Sequence, residues 1–214
     1  MRGGRLTDGQ KHAWRTLWPS YGRTLTEIPG ELDLPEWFGR SAPVVLEIGS
    51  GMGESTAELA SASPEVDHLA VEVYPPGLAQ LLMRIAEREL TNLRLLRGDA
   101  VLALRRCIEP DTLAGIRVYF PDPWPKRKHH KRRLVQPVFV ALAASRLRPG
   151  GTLHLATDWA HYADQMLEAC SAEPLLRNTS EGWAPRPTWR PLTKFEQRAV
   201  EEGRVIRDLV FTRA

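Results

Sequence analysis

Runs of apolar residues alternate with amphipathic stretches from Pro43 onward. A strand is predicted at Val44–Ile48, a short apolar run that ends in glycines. Further strands are predicted at 68–73, 92–96, 116–120 and 151–156, and helices at 54–63, 77–90, 100–107, 132–147 and 159–171. Because apolar strands separated by helices form βαβ units, we expect a parallel sheet in an α/β fold.

The N-terminal residues lack this alternation. Residues 1–40 are mixed, with one short helix predicted around 7–17, where Thr7 and Gln10 have the spacing of a capping box. We expect residues 1–40 to form an arm, either ordered or flexible, that precedes a single domain at 41–214.

The C-terminal residues contain two strand-like segments, at 174–178 and 204–211. A stretch rich in tryptophan and proline separates them, and no helix is predicted there. This pattern favours an antiparallel hairpin at the edge of the sheet.

Composition places the chain among globular proteins. It has 214 residues, of which 43% are hydrophobic and 26% are charged. The longest stretch without a charged side chain, 134–145, is too short for the roughly 18 apolar residues of a membrane span. The N-terminus lacks the apolar segment of a secretory leader. Cys107 and Cys170 are too few for a disulfide framework and fit a reduced, cytoplasmic compartment.

The positive charge is concentrated in one place. The chain has 29 Lys and Arg against 26 Asp and Glu, and its net charge is +3. Six of these cations lie in the eight residues 126–133, so the remainder of the chain is net acidic. A cationic block in the middle of the chain, beside an apolar strand, indicates a polyanionic partner such as nucleic acid. A solvated surface segment is the simpler alternative.

A glycine-rich turn follows the first predicted strand. Gly49, Gly51 and Gly53 come just after Glu47 and lead into a predicted helix, so the backbone can approach a ligand at a helix N-terminus. The spacing differs from that of a dinucleotide site, whose third glycine would fall at Glu54. It also lacks the Gly-Lys-Ser/Thr of a P-loop.

Acidic residues close the next two predicted strands. Glu72 ends the second strand, where a carboxylate can accept hydrogen bonds from ribose hydroxyls. Asp99 follows the third strand, where it can accept from an adenine amino group, although a helix N-cap explains Asp99 alone equally well. Ligands bind outside the carboxyl ends of the strands in such sheets. The pattern resembles class I S-adenosylmethionine-dependent methyltransferases, which implies a Rossmann-like, seven-stranded, mostly parallel sheet with a late antiparallel hairpin.

A rigid loop follows the fourth predicted strand. The segment Pro121-Asp122-Pro123-Trp124-Pro125 has three prolines in five residues, and prolines fix the backbone. It presents an acid and an aromatic side chain directly before the cationic block. A polyanion that contains a planar base needs this combination of side chains.

Three segments carry a closer resemblance to one family. They are Phe120 to Leu134, Ala156-Thr157-Asp158-Trp159 with Tyr162, and Arg190 to Glu196, with a weaker match at 4–10. Together they resemble bacterial tRNA (guanine-N7-)-methyltransferases over nearly the whole chain. The proline-rich tract with its basic block is the specific part of this match.

The resemblance implies transfer of a methyl group from S-adenosylmethionine to N7 of a guanosine in the variable loop of tRNA, position 46 in standard tRNA numbering. It assigns cofactor contacts to Glu47, Gly49, Gly51, Gly53, Glu72, Asp99, Ala100 and Asp122, substrate contacts to Lys126, Asp158, Thr193, Lys194, Phe195 and Glu196, and RNA contacts to Lys128, His129, His130, Lys131, Arg132 and Arg133. We expect neither a metal nor a membrane as partner, and both a monomer and a homodimer remain open.

The chemistry of guanine agrees with these assignments. N7 already carries a lone pair in the plane of the base, so positioning should matter more than base catalysis. Guanine also donates from N1 and N2, and carboxylates such as Asp158 or Glu196 can accept those protons. Our hypothesis is that Asp122 is the catalytic residue and orients the guanine or the cofactor while N7 attacks the sulfonium methyl in line.

Several of these residues also have simpler explanations. Asp158 is equally well placed to cap the following helix, and Thr193 alone would be interpreted as a helix cap. Trp159 and Tyr162 lie three apart on a predicted helix, which favours packing. The two histidines of the basic block lack further ligands at metal-binding spacing.

Two rival functions remain open at this stage. A methyltransferase for small molecules or proteins would leave the basic block unexplained and predicts activity that is insensitive to salt. A non-catalytic RNA-binding protein would leave the acids at the strand ends unexplained, and binding of the cofactor would exclude it. If the block neutralises four to six phosphates, log K should fall with log[salt] with a slope of roughly −3 to −5.

Overall fold

The computed structural model describes residues 4–214, apart from the side chain of Lys194. The chain divides into two compact units, of which the first ends at Glu109 and the second begins at Pro110. Both units have α/β architecture, as predicted from the alternation of apolar and amphipathic segments.

The first unit is a parallel α/β layer. Its elements are α1 (Asp8–Tyr21), β1 (Gly22–Thr24), a 3-10 turn (Leu25–Glu27), α2 (Leu34–Phe38), β2 (Val44–Ile48), α3 (Glu54–Ala62), β3 (Asp67–Glu72), α4 (Pro75–Glu87), β4 (Leu93–Arg97) and α5 (Ala100–Arg106). The strands lie in the order β1-β4-β3-β2, and β1 with β4, β4 with β3, and β3 with β2 pair in parallel. Their carboxyl ends therefore share one edge.

The hydrophobic core of this unit explains its layering. All six residues of β3 are buried, which is typical of a parallel strand covered on both faces. Helix α4 begins with prolines and packs Leu78, Leu82 and Ile85 into a cluster with Leu93 of β4. Burial of one such leucine contributes about 1.5 to 3 kcal/mol.

Helix α1 confirms the predicted capping box. The Thr7 hydroxyl accepts from the backbone N–H of Gln10 at 3.3 Å, and the Gln10 side chain accepts from the Thr7 N–H at 3.1 Å. The helix extends to Tyr21, four residues beyond the predicted end, because Ala13 and its neighbours pack on the core cluster with α4. Strand β1 and helix α2 were not predicted.

The second unit contains a mixed set of strands. Its elements are β5 (Leu113–Tyr119), a 3-10 helix (Arg127–Arg132), α6 (Pro137–Arg146), β6 (Leu147–Thr157), α7 (Ala160–Ser171), β7 (Leu176–Asn178), α8 (Lys194–Glu201) and β8 (Arg207–Arg213). The strands lie in the order β5-β6-β8-β7. Strands β5 and β6 are parallel, and β8 runs antiparallel to both β6 and β7, which confirms the late antiparallel pair.

Three details differ from the prediction. The described residues form eight strands, not seven, because the N-terminal segment adds β1. A helix, α8, lies between the last two strands where none was predicted. Helix α6 begins at Pro137 and not at residue 132, because proline is favoured in the first turn and the basic block forms its own 3-10 helix. Within residues 4–214, no helix has the length and apolar character needed to cross a membrane.

Candidate functional site

The glycine turn of the first unit has the open backbone geometry that the sequence suggested. Gly49, Gly51 and Gly53 have φ of +80°, +56° and +75°, a region that residues with a Cβ rarely adopt. A Cβ at Gly49 or Gly51 would meet nothing within 4 Å, so the turn leaves space beside its backbone. A Cβ at Gly53 would lie 2.6 Å from the Leu81 side chain, so this glycine permits α3 to approach α4.

Gly77 is a residue of this site that sequence reasoning missed. It lies in the first turn of α4, and a Cβ there would overlap the carbonyl oxygen of Gly51. The two backbones can approach each other only because position 77 is glycine. The available signal was a glycine directly after Pro75-Pro76, inside a helix that glycine otherwise destabilises.

Glu72 holds the glycine turn from the end of β3. One carboxylate oxygen accepts from the Gly51 N–H at 3.0 Å, and the other accepts from the N–H groups of Val73 at 2.7 Å and Tyr74 at 3.0 Å. A carboxylate offers about four acceptor positions, so one remains for a further donor. Glu72 therefore orders the loop and still faces the ligand edge of the strands.

Buried polar atoms surround the same turn. Glu47 is buried near the end of β2. The hydroxyl oxygens of Ser50 and Thr56 are also buried and have no hydrogen-bond partner among the described residues. Buried hydroxyls are normally hydrogen-bonded, so unsatisfied ones beside an open turn fit a polar ligand.

Asp99 caps the helix that follows β4, as the simpler explanation proposed. Its carboxylate accepts from the Leu102 N–H at 2.9 Å, and Ala100 is the first residue of α5. Asp99 also lines a cavity of about 490 Å³ together with Val73, Gly98 and the segment after β1. Capping and ligand contact are therefore compatible at this position.

The loop that carries Asp122 in the second unit has an unusual backbone. Phe120 and Trp124 bracket it with φ of +51° and +44°, although neither is glycine. Such conformations cost about 1 to 3 kcal/mol each and persist where the surroundings enforce them, often at functional sites. The Asp122 side chain between them is exposed.

Arg133 holds this loop in place through buried contacts. Its guanidinium donates to the Pro123 carbonyl at 2.8 Å and to the Gln165 side chain at 2.7 Å, and it lies 4.7 Å from the ring centroid of Tyr162. It also lies 3.0 Å from Nδ1 of His161. Only 2% of Arg133 is exposed, and burial lowers the pKa of the guanidinium. Although Arg133 was predicted to contact RNA, it packs inside the unit.

The other residues of the basic block face solvent. Lys126, Arg127, Lys128, Lys131 and Arg132 are exposed, and His129 and His130 are half-buried. His129 stacks on Trp124 with ring centroids 5.8 Å apart, and Arg132 lies 4.9 Å from the Trp124 centroid. The block thus presents several exposed cations, of which Arg132 lies over the Trp124 ring. Across the described residues, no group of three or more His, Cys, Asp or Glu is placed to hold a metal.

Asp158 is not a helix cap. Helix α7 begins after Trp159, and the Asp158 carboxylate instead pairs with Arg204 at 2.8 Å. Asp158 remains half-exposed. Tyr162 is fully buried and its hydroxyl accepts from the Val135 N–H at 2.9 Å, which confirms the packing interpretation. Burial raises the pKa of Tyr162 to about 12.

The segment Thr193–Glu196 opens helix α8. Thr193 caps the helix, since its hydroxyl accepts from the Glu196 N–H at 3.1 Å. Lys194 follows, with its side chain outside the described residues. Phe195 is 69% exposed, whereas Glu196 is only 1% exposed. The Glu196 carboxylate is enclosed by Arg186 at 2.6 Å and Arg190 at 2.8 Å. The hydrogen bond from Arg186 to Glu196 raises the pKa of the Arg186 guanidinium.

His154 on β6 completes the polar interior of this unit. Its Nδ1 lies 2.9 Å from the Tyr119 hydroxyl, and its Nε2 lies 2.7 Å from a carboxylate oxygen of Asp208. Burial lowers the pKa of His154, although the hydrogen bond to Asp208 opposes this. The hydrogen-bond pattern therefore assigns a neutral ring that donates from Nε2 and accepts at Nδ1.

Comparison with known proteins decides the family. The protein-family model described as "Putative methyltransferase" matches residues 41–209. The tRNA (guanine-N(7)-)-methyltransferase of Nitrosomonas eutropha is 52% identical over 214 residues, which cover 100% of this chain and 95% of that protein. The chain belongs to the tRNA (guanine-N(7)-)-methyltransferase family. The protein of the same name in Bordetella pertussis is 54% identical over 213 residues, covering 100% of this chain and 83% of that one.

Solved structures agree on the fold of this family member. The 16S rRNA methyltransferase KamB has a TM-score of 0.64 at 16% identity, covering 89% of this chain and 98% of that one. TrmN from Thermus thermophilus has a TM-score of 0.57 at 21% identity, covering 81% of this chain and 45% of that one. The predicted Rossmann-like methyltransferase fold is confirmed.

Sequence reasoning about this tRNA (guanine-N(7)-)-methyltransferase family member missed two arginines, the buried Arg190 and the exposed Arg186. They precede the Thr193–Glu196 segment and donate hydrogen bonds to the Glu196 carboxylate. The only signal was the density of arginines and acids in the C-terminal region. Partners so far apart in the chain, such as Arg190 and Asp208, could not be paired from spacing alone.

Proposed function

We propose that this chain transfers a methyl group from S-adenosylmethionine to N7 of a guanosine in the variable loop of tRNA, at position 46. The observation that carries the proposal is full-length identity above 50% to curated tRNA (guanine-N(7)-)-methyltransferases. The exposed Asp122 loop directly beside an exposed basic block supports the same assignment. We place this activity in the cytoplasm, with residues 41–214 as the methyltransferase domain and 1–40 as its N-terminal arm.

The first unit offers a set of residues that fits S-adenosylmethionine. The open Gly49–Gly53 turn leads into the N-terminus of α3, where backbone N–H groups attract the carboxylate of a methionine moiety. Glu72 has an acceptor position for ribose hydroxyls, and Asp99 lines a cavity of the size that holds a small ligand. Glu47 and Ala100 lie at the same strand edge. When bound, the cofactor supplies an electrophilic methyl group.

The second unit supplies the groups that would hold the acceptor. Asp122 is exposed on a loop whose backbone is fixed by prolines and by Arg133, so its carboxylate can orient a base without reorganisation. Guanine N7 needs no deprotonation, and Asp122 therefore acts by placement and not as a general base. Asp158 can accept from the guanine edge if it shares its carboxylate with Arg204.

The exposed cations would bind the RNA backbone. Lys126, Lys128, Lys131 and Arg132 are exposed in the segment that carries His129 of the Trp124–His129 stack, and phosphate contacts from such cations position a nucleic acid without reading its sequence. An apolar cavity of about 300 Å³ lies against Trp124 and Lys126. Phe195 presents a second exposed aromatic face on which an unstacked base can pack.

The test is methyl transfer from labelled S-adenosylmethionine to an unmodified tRNA transcript, followed by a cleavage chemistry selective for 7-methylguanosine. We expect one modified guanosine, in the variable loop, and none in a matched transcript that carries adenosine there. Asp122→Asn should lower kcat by at least about tenfold, because the carboxylate that orients the reactants is lost. Tight tRNA binding without incorporation would refute the proposal and favour a non-catalytic RNA-binding protein.

A further inference from the structure

Arg190 is the largest fully buried side chain in the described part of the chain. Its guanidinium donates to both carboxylate oxygens of Glu196, at 2.8 and 2.9 Å, and to Asp208 at 3.1 Å. It also lies 5.5 Å from the ring centroid of Tyr119 and 5.8 Å from that of Phe120. A single side chain thus contacts the start of α8, strand β8 and the end of β5.

The contacts of Arg190 extend into a continuous network. Asp208 accepts from His154, and His154 in turn accepts from the Tyr119 hydroxyl. On the other side, Arg186 donates to Glu196 at 2.6 Å and to the backbone carbonyl of Arg190 at 2.8 Å. Two arginines and two carboxylates balance in charge when His154 is neutral.

A network of buried charges contributes little net free energy to the stability of a protein. Removing charges from water costs several kcal/mol per ion, and well-packed apolar side chains often give equal or greater stability. A fully satisfied buried network instead fixes one arrangement of the elements that it joins. The buried charges of this unit are therefore better explained by positioning than by stability.

The joined elements are those that carry the proposed substrate contacts. Tyr119 and Phe120 lead directly into the Asp122 loop. Glu196 lies in the first turn of α8, one residue after the exposed Phe195. His154 lies on β6, the strand that ends just before Asp158. The network thus links three separate segments of the unit.

We propose that Arg190 is a positioning residue that holds the Asp122 loop and the start of α8 in one arrangement, and that Glu196 acts through Arg186 and Arg190 and does not contact the guanine. This inference rests on the proposed function and assigns Glu196 a different role from the one that the family resemblance implies. Both Glu196 oxygens already accept from arginine, and the residue is buried.

The first experiment uses Arg190→Lys and Arg190→Met, with Arg148→Met, an exposed arginine of the same unit, as the matched control. Amide hydrogen exchange of the intact protein without substrate should accelerate at least about tenfold in 120–124 and 192–201 for Arg190→Met. The lysine variant should lie between Arg190→Met and wild type. KM for tRNA should rise or kcat should fall by at least about tenfold, with cofactor affinity unchanged. Uniform acceleration across the unit would indicate a purely structural role and would overturn the proposal.

The second experiment asks whether Glu196 touches the base. Wild type and Glu196→Gln are compared on tRNA whose target guanosine is replaced by inosine, which lacks the N2 amino group, or by 2-aminopurine riboside, which lacks the N1–H. If Glu196 only positions, each analogue lowers kcat/KM by the same factor in both proteins. A penalty that shrinks about tenfold or more in Glu196→Gln would show direct contact and overturn the proposal.

The two experiments separate this inference from the proposed function. The exchange measurement needs no substrate, so it decides whether Arg190 holds the two segments even if the wild-type protein methylates no tRNA. Absence of methylation by the wild type would refute the proposed function. Normal methylation by both Arg190 variants, with unchanged exchange, would refute the inference alone.

Discussion

Arg133 is the buried cation of the basic block at 126–133, whose other lysines and arginines are exposed. Its substitution tests whether the buried cation supports the fold and the exposed ones bind RNA. Substitution by methionine keeps an unbranched apolar stem and removes the guanidinium. The lost contacts include the hydrogen bonds to Pro123 and Gln165 and the position over the Tyr162 ring. Hydrogen bonds from a charged donor contribute about 1.5 to 3 kcal/mol each, and the cation–π contact adds about 1 kcal/mol.

Part of this loss is offset, because methionine packs in the apolar part of the site and a charge no longer has to be kept from water. We expect a net destabilisation of about 2 to 3 kcal/mol. For a chain of this size that lowers Tm by about 5 to 10 °C. Thermal unfolding followed by circular dichroism measures it.

The matched control is Lys131→Met, which removes an exposed cation of the same block. It should leave Tm within about 1 °C, because exposed substitutions usually change stability by less than about 0.5 kcal/mol. It should reduce the salt dependence of tRNA binding by roughly 0.7 to 0.9 in the slope of log K against log[salt], one phosphate contact. Arg133→Met should leave that slope unchanged. If Arg133→Met lowers the slope like Lys131→Met and leaves Tm intact, Arg133 binds RNA and the reasoning from burial is wrong.

Three further predictions concern other parts of the chain. Gly77→Ala should weaken cofactor binding at least about tenfold by calorimetry, since its Cβ overlaps the glycine turn, whereas Gly30→Ala, with nothing within 4 Å, should not. Thr7→Ala should lose about 1 kcal/mol of stability in urea unfolding through the lost cap. The lowered pKa of His154 means that the unfolded chain takes up its proton first, so stability should fall as pH drops below about 6.5. In His154→Gln, urea midpoints at about pH 7.5 and 5.5 should differ less than in wild type.

The parts of the fold that could be predicted are those in which local pattern and tertiary structure agree. Strand Val44–Ile48 has the predicted bounds, because glycines follow it and four of its five residues are buried. Short elements such as β1 and α2 were missed, since three to five residues carry no periodicity and form only by pairing with β4 or packing on the core. Helix α6 begins five residues after its predicted start, because the cations before Pro137 are themselves good helix formers and extend the helical pattern.

The candidate site was predictable in its residue types and less so in its roles. The acids at the strand ends and the glycine turn lie where parallel strands place them. The burial of Arg133 and Glu196 could not be predicted, because charged side chains are rarely fully buried. Their partners lie in distant segments, such as Tyr162 for Arg133. Only the three-dimensional arrangement separates a cation that faces solvent from one that supports a loop.

The short strand β1 has a consequence that is unrelated to methyl transfer. It pairs along β4, whose Leu95 and Leu96 are buried, and it is only three residues long. An uncovered apolar strand offers its free N–H and C=O groups to any other chain, and proteins commonly block such edges with short strands. Removal of residues 1–24 would uncover β4, so the N-terminal segment also protects the protein from aggregation with its own copies.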